Sequence, residues 1–331
     1  MTSFPDIRMD RRRFALATSA AALVGLPHVR TAIAQDVAPG DLASLGLPEL
    51  NLTVNADGYD GFPEGDLAAG RYLLTATIAE GLEYAAAAIA GPPPGMSAEE
   101  LIEVFASFAA PPPDAAAEGS PEAGGEGEEG GPPPDMSIPL WFYRMPLPGG
   151  AGGPGGTVIQ TVLDLAPGEW VLWGDDPMAS QVPIVFNVTG QMPADLAEPE
   201  ADVTIRMIDF AINIDGSLTA GDHLAHVQNH GAQPHFLVVM RGPDTMTDDD
   251  IATLVSVMME MEAGETPPDL PLNPETDLMP VFQTIQQSID TNQWTPLSLE
   301  AGTYAALCFF PTAGEGLPHA MHGMHTVFTV A

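Results

Sequence analysis

Apolar and polar residues alternate with a period of two in several short runs, among them Tyr72-Leu73-Leu74-Thr75-Ala76-Thr77 and Val203-Thr204-Ile205-Arg206-Met207. Side chains of an extended chain point to opposite faces in turn, so the pattern predicts strands with one face buried. AHVQN, PHFLVVM, GTYAALCFF and HTVFTV, from residue 225 onward, read as further strands, and Gly, Pro, Asn and Asp punctuate them. Helical patterning is local: residues 97–108 and 247–262, where Ser97 and Thr247 stand as N-caps before acidic first turns, and residues 278–289. Short strands with frequent turns predict a mainly β chain of Greek-key sandwiches with short helical insertions.

The pattern occurs twice. Setting Gly70 against Gly221 brings Tyr84 opposite His235, with one residue of slack, and Gly91 opposite Gly242. A later pair of segments matches with Gly168 on Gly302, which puts Trp170 on Tyr304 and Gly174 on Cys308. A divergent tandem repeat is expected, with units at 35–200 and 201–331 joined through 194–203. Residues 111–135, PPPDAAAEGSPEAGGEGEEGGPPPD, hold 13 Gly or Pro in 25 and no aromatic or branched aliphatic side chain. Such a stretch cannot bury enough surface to offset its ordering entropy, so it reads as a disordered acidic insertion within the first unit. GGAGGPGG, residues 149–156, reads as a shorter loop of the same kind.

Charge narrows the function. The chain carries 45 acidic residues against 9 basic ones, all arginine, for a net charge of −36. Phosphate neutralisation needs Lys/Arg clusters, so such a surface should repel nucleic acid and anionic membranes, and nucleic-acid binding is excluded. The acidity fits solubility or a salty habitat, or steering toward a cationic partner.

Five of the nine arginines precede residue 35. Arg11, Arg12 and Arg13 stand directly before Phe14, an apolar run extends to Pro27, and Ala32-Ile33-Ala34 offers a cleavage site. Residues 1–34 therefore read as a secretory signal peptide of twin-arginine type. The apolar run is shorter than the roughly 20 residues a membrane span needs, so a mature chain without a span, exported to the periplasm, the cell envelope or the medium, is expected.

Export alters the reading of Cys308, the only cysteine. A lone thiol in an oxidising compartment has no intrachain partner, which leaves a small buried apolar side chain or a ligand. Around it, CFFPTAGEGLPHAMHGMH, residues 308–325, gathers three of the eight histidines and two methionines. Copper that exchanges one electron is held by two imidazoles and a thiolate, with a weak axial thioether. His235, Cys308, His319 and Met324 supply that set. His322 and His325 compete with His319 for the second imidazole, and Met321 with Met324. His223 and His226, three apart on a strand, point to opposite faces, and His230 reads as a turn residue. Met258, Met259 and Met261 suit a helix core face better than a copper-trafficking site.

At these residues the sequence resembles the cupredoxin family, the type 1 or blue copper proteins related to plastocyanin and azurin. The resemblance lies in Asn229-His230-Gly231-Ala232-Gln233-Pro234-His235, in the C-terminal order Cys, His, Met, and in the five-residue step from His319 to Gly323-Met324. It implies His235, Cys308 and His319 as equatorial ligands and Met324 as the axial one. Ten residues between Cys308 and His319 depart from the small carriers, where this loop is short. Residues 35–200 hold neither cysteine nor histidine, so the first unit is expected to be a metal-free counterpart.

The expected function is one-electron transfer through a single copper ion, to a redox partner that the charge suggests is cationic. No enzymatic activity is expected: multicopper oxidases and nitrite reductases need more histidines, commonly as H-x-H pairs, and no such pair occurs. Copper storage, delivery or resistance is the alternative, as is a metal-free interaction module.

Overall fold

The structure, a computed structural model, describes residues 42–109, 138–175, 181–216, 218–260, 270–274 and 276–331. The expected signal peptide, the acidic insertion 111–135 and the side chains of Met258, Met259 and Met261 lie outside the described residues. No described helix is long and apolar enough to cross a membrane.

In the first half the elements are β1 (Glu49–Val54), β2 (Tyr59–Asp60), β3 (Leu67–Ala68), β4 (Gly70–Ile78), β5 (Ala85–Ala90), α1 (Ala98–Ala109), β6 (Gly149–Gly153), β7 (Val158–Leu165), β8 (Gly168–Trp173) and β9 (Ile184–Thr189). The second half has β10 (Val203–Ile208), β11 (Ala211–Asp215), β12 (Gly221–Asn229), β13 (Val238–Gly242), α2 (Asp248–Glu260), β14 (Met279–Gln283), β15 (Asn292–Leu299), β16 (Gly302–Leu307) and β17 (His325–Val330). The chain is mainly β. Val203, Ile205 and Met207 of β10 turn inward while Thr204, Arg206 and Ile208 do not, as period-two alternation requires.

Strand pairing repeats along the chain. β1 lies parallel to β4 and antiparallel to β2, just as β10 lies parallel to β12 and antiparallel to β11. β4 then pairs with β7 as β12 does with β15, and β9-β8-β5-β6 mirrors β17-β16-β13-β14. Gly70 and Gly221 open nine-residue strands, and Gly168 and Gly302 open β8 and β16 with φ of 156° and 154°. The two halves share one eight-stranded sheet, because Gln293 and Trp294 of β15 pair with Leu163 and Val162 of β7. Residues 194–202 run between β9 and β10, and Val203 opens β10.

Both well-capped helices close with reciprocal bonds. Ser97 Oγ accepts from the Glu100 N–H at 3.2 Å while Glu100 accepts from the Ser97 N–H at 2.8 Å. Thr247 and Asp250 do the same at 3.2 and 2.9 Å, so each pair satisfies two donors that the first turn leaves open.

Two expectations fail. Residues 278–289 form no helix: Met279–Gln283 is β14, paired antiparallel with β13, and its Pro280 and Phe282 are buried between less buried neighbours. The short apolar run follows period two. Nor is Gly149–Gly153 a loop; it is β6, paired with Ala85–Ile89 of β5. A Cβ on Gly150 would lie 2.4 Å from the Ala87 carbonyl oxygen, and one on Gly152 2.4 Å from the Tyr84 hydroxyl. Glycine serves close approach there, not freedom.

Candidate metal centre

His235 reaches the interior through a turn that Asn229 organises. Asn229 Oδ1 accepts from the Gly231 N–H at 2.8 Å, and its amide donates to the carbonyls of Gln233 and Gln287 at 2.8 and 2.7 Å. His235 then exchanges both backbone bonds with Gln287, at 3.0 and 2.8 Å. It forms an isolated bridge, and the strand expected to start there begins at Val238. Five backbone and side-chain bonds therefore fix the ring's origin before any ligand is considered.

Cys308 follows the last residue of β16, and the ten-residue spacer behind it folds back on itself. The Ala320 N–H donates to the Cys308 carbonyl at 2.8 Å, the His319 N–H to Phe310 at 2.8 Å, and the Thr312 N–H to Leu317 at 2.7 Å. Pro311 stands opposite Pro318 in a bridge. The spacer is a closed loop, so its length brings Cys308 and His319 together instead of separating them. Phe310 packs against Phe142 and Tyr143 of the first half, and the Tyr143 hydroxyl donates to the Pro311 carbonyl at 2.8 Å. Residues His319–His322 make one 3-10 turn, stopped by Gly323 at φ 93°. Met324 is tied on both sides: its N–H donates to the His319 carbonyl at 3.1 Å and its carbonyl accepts from the Cys308 N–H at 3.2 Å.

Three donor atoms converge. His235 Nδ1 and His319 Nδ1 are 2.9 Å apart, and Cys308 Sγ lies 3.7 and 3.6 Å from them. The point equidistant from the three corners is about 2 Å from each, close to the length of a metal–imidazole bond. His235, Cys308, His319 and Met324 all have no exposed surface. Among the described residues, His235, Cys308 and His319 are the one group of His, Cys, Asp and Glu side chains near enough to share an ion.

Burial sets the protonation. It pushes the Cys308 thiol up to about 12. It lowers His319 to about 3, with further repulsion from His235. His235 is lowered by burial too, against a hydrogen bond to Asp209 that pulls the other way. Two neutral imidazoles and a thiol thus face one another in a buried space, and a borderline-soft cation matches that donor set.

The competing residues point elsewhere. His322 Nε2 lies 3.2 Å from the Glu315 carboxylate, and His325 Nδ1 3.5 Å from that of Asp248. His223 bonds the Thr219 carbonyl at 2.8 Å, while His226 stacks on Trp294 with centroids 4.3 Å apart. His230 is exposed in the turn.

Two site residues escaped the sequence reading. Asp209 and Phe210 form the two-residue tip between β10 and β11. Asp209 Oδ1 lies 3.0 Å from His235 Nε2, and the Phe210 ring sits edge-on to His319 with centroids 5.5 Å apart. Phe210 holds φ at 65°, a left-handed backbone that is rare for an aromatic residue. The only signal in the sequence was that D-F occupies a tight turn where glycine or asparagine is usual.

No family model matches the chain, and no curated protein does. Among solved structures, the dithionite-reduced auracyanin of the photosynthetic bacterium Roseiflexus castenholzii is similar over 39% of this chain and 94% of its own, at 21% identity and a TM-score of 0.26. Auracyanin B is similar over 42% and 95%, at 18% identity and 0.24. A multicopper oxidase of Pseudomonas thermotolerans is similar over 86% and 68%, at 10% identity and 0.22.

Proposed function

We propose that this chain binds one copper ion through His235, Cys308 and His319, with Met324 as the axial ligand, and works as a one-electron carrier. The observation that carries the reading is the convergence of two imidazole Nδ1 atoms and one thiol sulfur within 3.7 Å, all buried. When bound, copper supplies a one-electron couple. The chain's own part is to hold two neutral imidazoles and a thiol in place, release the thiol proton as the cation enters, and keep water out. A site closed on all sides suits electron exchange through the protein better than turnover of a bound substrate, so no enzymatic activity is proposed.

Export by a twin-arginine signal and a cationic redox partner belong to the same proposal. They rest on Arg11, Arg12 and Arg13 before Phe14, and on a net charge of −36. The first half, with no histidine or cysteine between residues 35 and 200, is proposed as a metal-free counterpart of the second.

Metal analysis of protein purified from its native envelope tests the reading. One copper per chain with a reversible one-electron couple supports it, and metal-free protein that refuses added copper sinks it. More than one copper per chain, or tight Cu(I) without a reversible couple, would support storage or delivery instead. That second reading draws on His322 and His325, which flank the centre with 28% and 12% of their side chains exposed.

A further inference from the structure

The carboxylate of Asp209 occupies an unusual position for one of 45 acids on a chain this acidic. A single oxygen, Oδ1, meets three donors: His235 Nε2 at 3.0 Å, the Ala232 N–H at 3.0 Å and the Gln233 N–H at 3.3 Å. All three lie in the segment that delivers His235. An oxygen that accepts from two backbone N–H groups faces the ring as an acceptor, so the ring nitrogen opposite it carries the hydrogen.

The packing admits this contact and little else. A Cβ on Gly231 would lie 2.4 Å from both His235 Nε2 and Asp209 Oδ1, so glycine at 231 is what lets ring and carboxylate meet. Ile208 opposite Ala211 closes the strand pair on either side of the tip, which leaves Asp209 and Phe210 as its only two residues. Phe210 adopts the left-handed backbone there, which crowds its Cβ against the following carbonyl. A residue kept in such a conformation is best understood through what the turn positions. Among the described residues, the one side-chain hydrogen-bond partner of Asp209 is His235.

We infer that Asp209 is a positioning residue of the metal centre: it fixes His235 with its hydrogen on Nε2 and its lone pair on Nδ1 toward Cys308 and His319, and it biases the centre toward Cu(II). The inference rests on the proposed copper function for its second clause only. A carboxylate accepting from the far nitrogen orients the ring and makes the near nitrogen a better donor. A stronger neutral donor with a carboxylate charge behind it favours the more highly charged ion, so the reduction potential falls. Removing the charge while keeping the acceptor should shift the balance toward Cu(I) by roughly 10- to 100-fold, on the scale by which partners of metal-bound histidine change metal affinity. For one electron that is about 60 to 120 mV upward.

Nitrogen-15 NMR of histidine in the metal-free protein reads the first clause without copper. Wild type should show His235 protonated at Nε2, and Asp209→Ala should show a tautomer mixture or a shifted ring. A hydrogen on Nδ1 in wild type overturns the inference. Voltammetry of the copper-loaded protein reads the second clause. Asp209→Asn, whose amide oxygen can still accept from the turn, should raise the potential, whereas an unchanged potential in a folded Asp209→Asn protein means Asp209 only ties the turn. If wild type takes up no copper at all, the proposed function fails, yet the tautomer result still decides the positioning role.

Discussion

Gly231 and His235 touch so closely that no side chain fits between them: a Cβ at residue 231 would sit 2.4 Å from His235 Nε2. Gly231→Ala must therefore push the ring off Asp209 or the turn off its bonds to Asn229. Overpacking of this kind costs about 1–3 kcal/mol. Denaturant unfolding of the metal-free variant should show that loss, and copper affinity should fall with it. Wild-type stability and affinity in Gly231→Ala would mean that the turn is slack.

The choice among the clustered histidines follows from direction. His319 faces Cys308 Sγ at 3.6 Å, whereas His322 faces Glu315 at 3.2 Å. Replacing His319 by alanine should abolish the thiolate-to-copper absorption. The same change at His322 should leave the band in place. The reverse pattern would transfer the ligand role to His322.

Stability of the metal-free protein should depend on pH through the same residues. His319 is lowered in the fold to about 3 from the usual 6.5. Between those values the unfolded chain binds a proton that the folded one refuses, so stability is present above about pH 6.5 and is lost as pH falls toward 3. His235 and Asp209, both lowered, act in the same direction. Cys308, raised from 9.0 to about 12, works at the other end: its contribution is present below pH 9 and is lost as pH rises toward 12. Melting temperatures across pH 3 to 8 check the acid limb. A flat profile would contradict the burial of the two imidazoles.

Phe210 shields His319 edge-on at 5.5 Å and leans on His322 at 4.9 Å. Truncation to alanine should open the imidazole to water, and a small reductant should then bleach the copper band faster than in wild type. Equal rates measured by stopped flow would show that Phe210 is not the cover.

The first half steadies the loop between Cys308 and His319 through Tyr143, whose hydroxyl donates to the Pro311 carbonyl. Tyr143→Phe removes that bond and keeps the ring against Phe310, so the expected loss is about 0.5–1.5 kcal/mol. Chemical denaturation of both proteins measures it. A negligible difference would mean that ring packing alone holds the two halves together at this point.

What the sequence made legible follows from how rare or local a signal is. Cys308 stood out as the only cysteine, and the histidines because three of the eight fall within residues 308–325. The helix starts at Ser97 and Thr247 were readable because a capping box lies within four residues. Gly149–Gly153 was misread because its reason is distant: the atoms that forbid a side chain belong to Ala87, Tyr84 and Gln293. Asp209 was invisible for a related cause. One carboxylate among 45 acids carries no mark, and its partner lies 26 residues away. The β7–β15 pairing that joins the halves rests on two residue pairs across 130 positions, which no periodicity could announce.

The proposal that His235, Cys308 and His319 share one copper ion is tested most directly by titrating metal-free protein with Cu(II) while following the visible spectrum. The account predicts an intense thiolate-to-copper band that saturates at one equivalent and is absent from Cys308→Ser. A folded wild-type protein that stays colourless past one equivalent, or a band that survives the loss of Cys308, would contradict it.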